Sequence, residues 1–199
     1  MKMIIIALMN CLLPGAGVKA QTATADYTAR TSSGIYQSSA DFEQGKLTLP
    51  ADCQQEKSKV RMNDFLNSPF LTVIHQGKKY VFPKDSIFGL RTCEGHDFRI
   101  FHRRLYEIEE LKSIVIYRSI AIESSGAKGV KQVDRFYFSA SVDSDILPLT
   151  STPIEQTFSH NQKLHDLLDA WLQGNRDAIS AYDAYYHTFK INRLLQASN

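Results

Sequence analysis

The sequence predicts an α+β fold: an antiparallel β-meander, a curved sheet or half-open barrel, packed with C-terminal helices. Three observations carry this. Between about residues 70 and 142, runs of alternating apolar and polar residues succeed one another across short turns, the pattern of antiparallel strands joined by hairpins. No long helical pattern separates those runs, which argues against a parallel α/β sheet. After Leu147-Pro148-Leu149 the apolar period becomes helical, and strands followed by helices is the α+β order.

The strongest strand signal lies in residues 112–142, read as a long hairpin. On its first arm Ile114, Ile116, Ile120 and Ile122 share one face, interrupted only by Arg118. On its second arm Phe136, Phe138, Ala140 and Val142 alternate with Arg135, Tyr137, Ser139 and Ser141. Ser124-Ser125-Gly126-Ala127-Lys128-Gly129 supplies a polar turn between them. A hairpin this long needs other elements to cover its apolar face.

From the beginning of the chain, residues 1–20 read as a secretory signal peptide. Lys2 forms a basic n-region, residues 3–13 an apolar run, and Val18-Lys19-Ala20 fits the small-residue rule for cleavage before Gln21. The run is shorter than the ~20 residues of a transmembrane helix, and no second such run follows. A lipoprotein reading would acylate Cys11, but Asn10 is a poor residue before the cut and the apolar run continues past it. Localisation is therefore expected to be secreted or periplasmic. Residues 21–33 read as a disordered lead-in and 34–199 as a single domain. Cleavage removes Lys2 and Lys19, bringing 23 basic residues to 21 against 21 acidic ones. That neutral balance argues against nucleic acid or an anionic membrane surface as a dedicated partner.

Two cysteines remain, Cys53 and Cys93. In an oxidising compartment they default to a disulfide; the alternative, a reactive or metal-binding thiol, needs a neighbouring base or further soft ligands. Gly34-Ile35-Tyr36 is a short extended piece, Ser39 caps a single helical turn through Asp41-Phe42-Glu43 stopped by Gly45, and residues 46–49 extend up to Pro50. Residues 51–60 read as a surface loop. The meander then runs through 70–75 and 79–82 around Gln76-Gly77, through 87–91 and 98–102 around Thr92-Cys93-Glu94-Gly95, and through 105–109. In the last third, Thr152-Pro153-Ile154-Glu155 reads as an N-cap with a capping box. A break follows near Ser159-His160-Asn161, and Gly174 marks a C-terminal cap. A final helix is expected over about 177–196, with Ile179, Tyr182, Tyr186, Phe189 and Leu194 on its core stripe.

Chemistry is poorly advertised. Phosphate-binding glycine loops, Gly-x-Ser-x-Gly, His-Glu-x-x-His and paired Cys-x-x-Cys motifs are absent from the sequence, so no cofactor and no metal is implied. The six histidines lack ligand spacing. Ser139, His102 and Asp97 can be named as a hydrolase triad, but nothing in the sequence activates one serine over another. Glu107, Glu109 and Glu110 offer paired carboxylates, more simply read as a solvated strand edge. Two residues stand out as binding candidates. Tyr185 turns away from the expected core stripe, and Arg118 is the one charge aimed into the face that the helices should cover. For Arg118 the alternatives are an open strand end or pairing with a carboxylate such as Asp134.

Several separated pieces carry a resemblance. Gly34-Ile35-Tyr36, Asp41-Phe42 and Gly45-Lys46-Leu47 come first, followed by Gly77-Lys78-Lys79-Tyr80-Val81-Phe82 and Ile87-Phe88-Gly89-Leu90-Arg91. Tyr137-Phe138-Ser139 and Leu149-Thr150 complete the order. Together they resemble uncharacterised secreted proteins common in Bacteroidetes. The resemblance implies a secreted or periplasmic setting and transfers no catalytic residue or cofactor. The function expected is thus an exported, non-catalytic envelope protein binding an unidentified ligand or protein partner. The alternatives are a secreted hydrolase whose site the fold assembles and a structural component of an envelope assembly using an exposed strand edge.

Overall fold

The computed structural model describes residues 32–54, 59–61, 68–124, 126, 129–173 and 176–199. The signal peptide, residues 21–31 of the lead-in, and Gly174 lie outside them. The lead-in is shorter than expected: Ser32 and Ser33 already belong to strand β1, Ser32–Tyr36, and Ser33 is buried.

An open antiparallel sheet of eight strands organises the molecule. After β1 and the one-turn helix α1 (Ser39–Glu43), capped by the Ser38 hydroxyl accepting from the Asp41 N–H rather than by Ser39, comes β2 (Thr48–Asp52). The consecutive strands β6 (Gly89–Arg91), β7 (Asp97–Phe101), β8 (Arg104–Leu111), β9 (Val115–Ser124), β10 (Val130–Ser139) and β11 (Leu147–Pro148) form the expected meander. Their spatial order is β11-β10-β9-β8-β7-β6-β1-β2. β2, at one edge, tolerates Pro50 because an edge strand need not donate from every N–H. Residues 51 and 52, expected in a loop, therefore belong to a strand, as do 59–61 (β3, Lys59–Arg61).

The meander does not begin at residue 70. β4 (Phe70–His75) and β5 (Lys78–Pro83) leave the large sheet and join β3 in a separate three-stranded one. Their hairpin turns through Gln76 and Gly77, both at positive φ. Leu71 and Val73 bury their side chains against Ile35, Leu90, Ile100 and Leu105 of the large sheet, so the small sheet serves as a lid over half of one face.

Helices cover the other half of that face. α2 (Ser151–Thr157) starts two residues earlier than a Thr152 cap would allow, with Thr150 as N-cap and Pro153 third in the helix. Proline is tolerated there because first-turn N–H groups have no intrahelical acceptor. α3 (Gln162–Leu172) begins after the expected break, with Asn161 Oδ1 accepting from the Leu164 N–H at 3.0 Å. Ile154, Leu164, Leu168 and Leu195 pack on Ile114, Ile116 and Phe138.

The expected 177–196 helix is broken. A 3-10 turn (Arg176–Ser180) and a hairpin of β12 (Tyr182–Asp183) and β13 (Thr188–Phe189) precede α4 (Lys190–Ser198). Asp183 Oδ1 accepts from the backbone N–H groups of Tyr185 and Tyr186 at 3.1 and 3.2 Å. That local turn competes with helix formation. Tyr182 and Tyr186 are consequently exposed rather than core.

Cys53 and Cys93 are disulfide-bonded, with Cα atoms 5.4 Å apart. The bridge runs from the end of β2 to the β6–β7 turn and so clips the β2 edge across β1. No helix among the described residues is long and apolar enough to cross a membrane.

Candidate functional site

Arg118 sits where the sheet forks. The β8–β9 ladder reaches only as far as the pair Glu107↔Arg118, whereas β9 and β10 stay paired from Val115↔Ser139 to Ser124↔Val130. β11 covers only Tyr137 and Phe138 of β10. Residues 119–124 and 130–135 therefore form a two-stranded ribbon beyond the sheet.

At the fork Arg118 is fully engaged. Its Nη2 donates to Glu107 Oε2 at 2.5 Å, its Nε to Glu109 Oε1 at 2.5 Å, and Asp134 lies 3.5 Å from Nη1. His96 Nδ1 contacts the other oxygen of Glu107. The hydrogen bond to Glu109, aided by the charges of Glu107 and Asp134, raises the guanidinium pKa further, against a smaller opposing effect of burial. The pairing read as one alternative for Arg118 is therefore present, with Asp134 its most distant partner. Arg118 is not a free cation waiting for an anionic ligand. The carboxylates are not a solvated edge either: β8 lies inside the sheet, Glu107 and Glu109 hold Arg118, and Glu110 turns to α4.

Beyond Arg118 the apolar face continues without cover among the described residues. Strand register puts Ile116, Arg118, Ile120 and Ile122 on the face that carries Phe138, Phe136, Asp134 and Gln132 of β10. Ile116 and Phe138 are buried under the helices, but Ile120, Ile122 and Val130 are 59, 71 and 73% exposed. Aromatic rings lead toward this face from the C-terminal hairpin: Tyr182 stacks edge-on against Phe189 and Phe189 against Phe136, with centroids 5.4 and 5.5 Å apart. Phe136 is the diagonal cross-strand neighbour of Ile120, within side-chain reach.

Tyr185 points outward as expected and is 82% exposed. It stands in the β12–β13 turn, edge-on to Tyr186, whose ring carries the Arg193 guanidinium 3.7 Å above its centroid. No hydrogen bond, ion pair or ring contact among the described residues joins Tyr185 to Arg118.

The triad candidates are not assembled. Ser139 Oγ is buried, 2.8 Å from the Tyr117 hydroxyl, and donates to Ser141 O. Asp97 accepts from Arg91 and from the Tyr36 hydroxyl, while His102 occupies the β7–β8 turn at positive φ. No group of three or more His, Cys, Asp or Glu residues is arranged to hold a metal among the described residues.

Two features escaped the sequence reading. Arg99 is buried, donating to the Tyr117 hydroxyl and to Ser144 O, and its guanidinium lies near the rings of Phe88 and Phe101. Asn192 is buried and pins α4 to the β8–β9 turn. It accepts from the Ile114 N–H at 3.0 Å and donates to Glu110 Oε2 at 2.6 Å. Only the alternation of Arg99 with Phe98 and Ile100 hinted at the first; nothing local marked Asn192.

No known family model, curated protein or solved structure matches this chain. The functional reading therefore rests on the geometry above.

Proposed function

We propose that the chain is an exported, non-catalytic protein of a bacterial cell envelope that binds a protein partner through the open face of the β9–β10 ribbon. The observation that carries this is the trio Ile120, Ile122 and Val130, each more than half exposed on one side of the ribbon. Exposed aliphatic side chains on a two-stranded ribbon suit a protein surface better than a small molecule, which needs a concave site. The Arg118 cluster borders the trio with mutually paired charges, the polar composition of an interface rim. Export is supported by the signal-like residues 1–20 and by the Cys53–Cys93 bridge, which persists best in an oxidising compartment.

A short photo-crosslinking amino acid placed at position 122 in exporting cells tests this. The expected result is an adduct with a second protein, lost when Ile120→Lys is added and absent when the probe replaces His160, exposed in the turn between α2 and α3. Absence of a specific adduct at 122 in the exported protein would overturn the reading.

A further inference from the structure

The ribbon also has a free edge, on the side of β10 away from β9. The Leu149 N–H donates to Phe136 O at 3.0 Å, so the backbone of Phe136 faces β11. Alternation along a strand then turns the N–H and C=O groups of Asp134, Gln132 and Val130 the same way. β11 stops before reaching them and the chain departs into α2. Beside the gap lies a cleft of about 470 Å³ lined by Asp134, Arg135, Phe136, Leu149, Thr150 and Ile179.

Natural edge strands are usually defended by outward charge, proline or a bulge. This one has neither proline nor bulge between Val130 and Arg135. Its charged side chains are exposed but pair within the molecule: Lys131 and Arg135 with Glu123 across the hairpin, and Asp134 with Arg118. Among the described residues, no strand pairs with this row of backbone donors and acceptors.

We propose that this edge pairs with the same edge of a second copy, β10 running antiparallel to β10 about a twofold axis. Self-pairing must place outward-facing residues opposite one another, and three central registers do so. Centring on Asp134 opposes two carboxylates, and centring on Val133 opposes Lys131 with Arg135. Centring on Gln132 opposes Val130 with Asp134, Lys131 with Val133 and Gln132 with itself, and no like charges meet. That register forms about six interchain hydrogen bonds and ends where Phe136 O is already used by Leu149. It keeps the same face of both ribbons upward and sets the two Ile122 side chains ~14 Å apart, three strand spacings. Two partner-binding faces thereby become one surface, although the pairing itself does not depend on the function proposed above. A contact this small makes a concentration-dependent dimer rather than an obligate one.

Sedimentation velocity over a concentration series, read with Gln132→Pro and Gln132→Cys variants, tests the pairing. Proline at 132 removes an outward N–H and leaves the β9 ladder untouched. The wild type is expected to move toward twice the monomer mass as concentration rises, and Gln132→Pro to remain monomeric with an unchanged circular dichroism spectrum. Should Gln132→Pro fail to fold, the cysteine variant decides. Gln132→Cys is expected to give a covalent dimer under mild oxidation, at least tenfold more than Lys131→Cys, whose copies lie off the axis. The pairing is overturned by a wild type that stays monomeric together with a Gln132→Cys variant that yields no covalent dimer. A dimer that survives Gln132→Pro but is lost in Ile122→Lys also overturns it, assigning self-association to the apolar face. So does a Gln132→Cys variant that crosslinks only to a foreign protein, which would give the edge to another chain's strand.

Discussion

Replacing Asn192 with leucine should be among the most damaging single changes outside the apolar core, and its size can be worked from the contacts. Asn192 is fully buried and accepts from the Ile114 N–H, itself fully buried. Leucine leaves that donor without a partner, at a cost of about 1–3 kcal/mol, and removes a hydrogen bond to an ionised carboxylate worth about 1.5–3 kcal/mol. The added apolar surface returns part of this, leaving a net loss of about 2–4 kcal/mol, or roughly 5–15 °C in Tm for a domain of this size. Glu110→Gln should be milder, about 1–2 kcal/mol at neutral pH, because an amide oxygen still accepts from Asn192 and the Phe189 N–H. It should also remove an acid-limb dependence. Burial pushes the Glu110 carboxyl up, but hydrogen bonds from Lys112, Asn192 and the Phe189 N–H outweigh it and hold the group below its ordinary 4.5. Its folded pKa is thus lower than its unfolded one. The stabilisation is fully present above pH 4.5 and is lost as pH falls through the folded value. Urea unfolding followed by circular dichroism from pH 7 to pH 3 measures both effects. An Asn192→Leu loss under ~1 kcal/mol, or a wild-type minus Glu110→Gln difference that does not shrink in acid, would refute this account of the clamp.

Other perturbations test separate parts of the structure. Reducing Cys53–Cys93, which closes 40 residues of chain, should cost about 4 kcal/mol on the chain-entropy model; denaturant midpoints with and without reductant give the value. Gly89→Ala would drive a Cβ into the Phe98 carbonyl oxygen, a backbone atom that cannot swing aside. A loss of about 3 kcal/mol or more in thermal unfolding is expected. His102 and Arg103 both hold positive φ in the β7–β8 turn, a geometry that suits Asn-Gly. The double change to Asn-Gly should raise Tm by a few degrees, even with the exposed Arg103–Asp85 pair lost. Ile120→Ser should change stability by no more than about 0.5 kcal/mol in urea unfolding, whereas a buried isoleucine would cost several times that, and should abolish the adduct of the probe at position 122.

How much of this was legible depended on whether the determinant was local. The β4–β5 hairpin was readable because Gln76-Gly77 carries its own turn geometry, and the α2–α3 break because Asn161 caps through its own side chain. The allocation of β4 and β5 to a second sheet was not readable. Alternation identifies a strand's buried side but not which surface buries it, and Leu71 and Val73 pack on strands outside their own hairpin. The last helix failed for a different reason: Tyr182 and Tyr186 fit a helical period, yet the Asp183 carboxylate offered the backbone a competing turn. Arg118 is legible as the interruption of an apolar face, which strand register places between Ile116 and Ile120. Its three carboxylates come from β8 and β10, and their approach depends on a register no local pattern encodes.

That interruption also explains why the chain leaves Ile120 and Ile122 open. Extending the helical layer over the ribbon would carry apolar side chains across the fork and take Arg118, Glu107, Glu109 and Asp134 out of water. Desolvating such a cluster costs several kcal/mol per ion, whereas covering an isoleucine recovers only about 1.5–3 kcal/mol. With four charged groups at the boundary and three aliphatic ones beyond it, cover supplied by the same chain loses. A partner that approaches from the ribbon's far end escapes this penalty. It can bury Ile120, Ile122 and Val130 and stop short of the fork, leaving the ion cluster at a wet margin. The charged row therefore separates the apolar surface the fold uses internally from the apolar surface it leaves exposed.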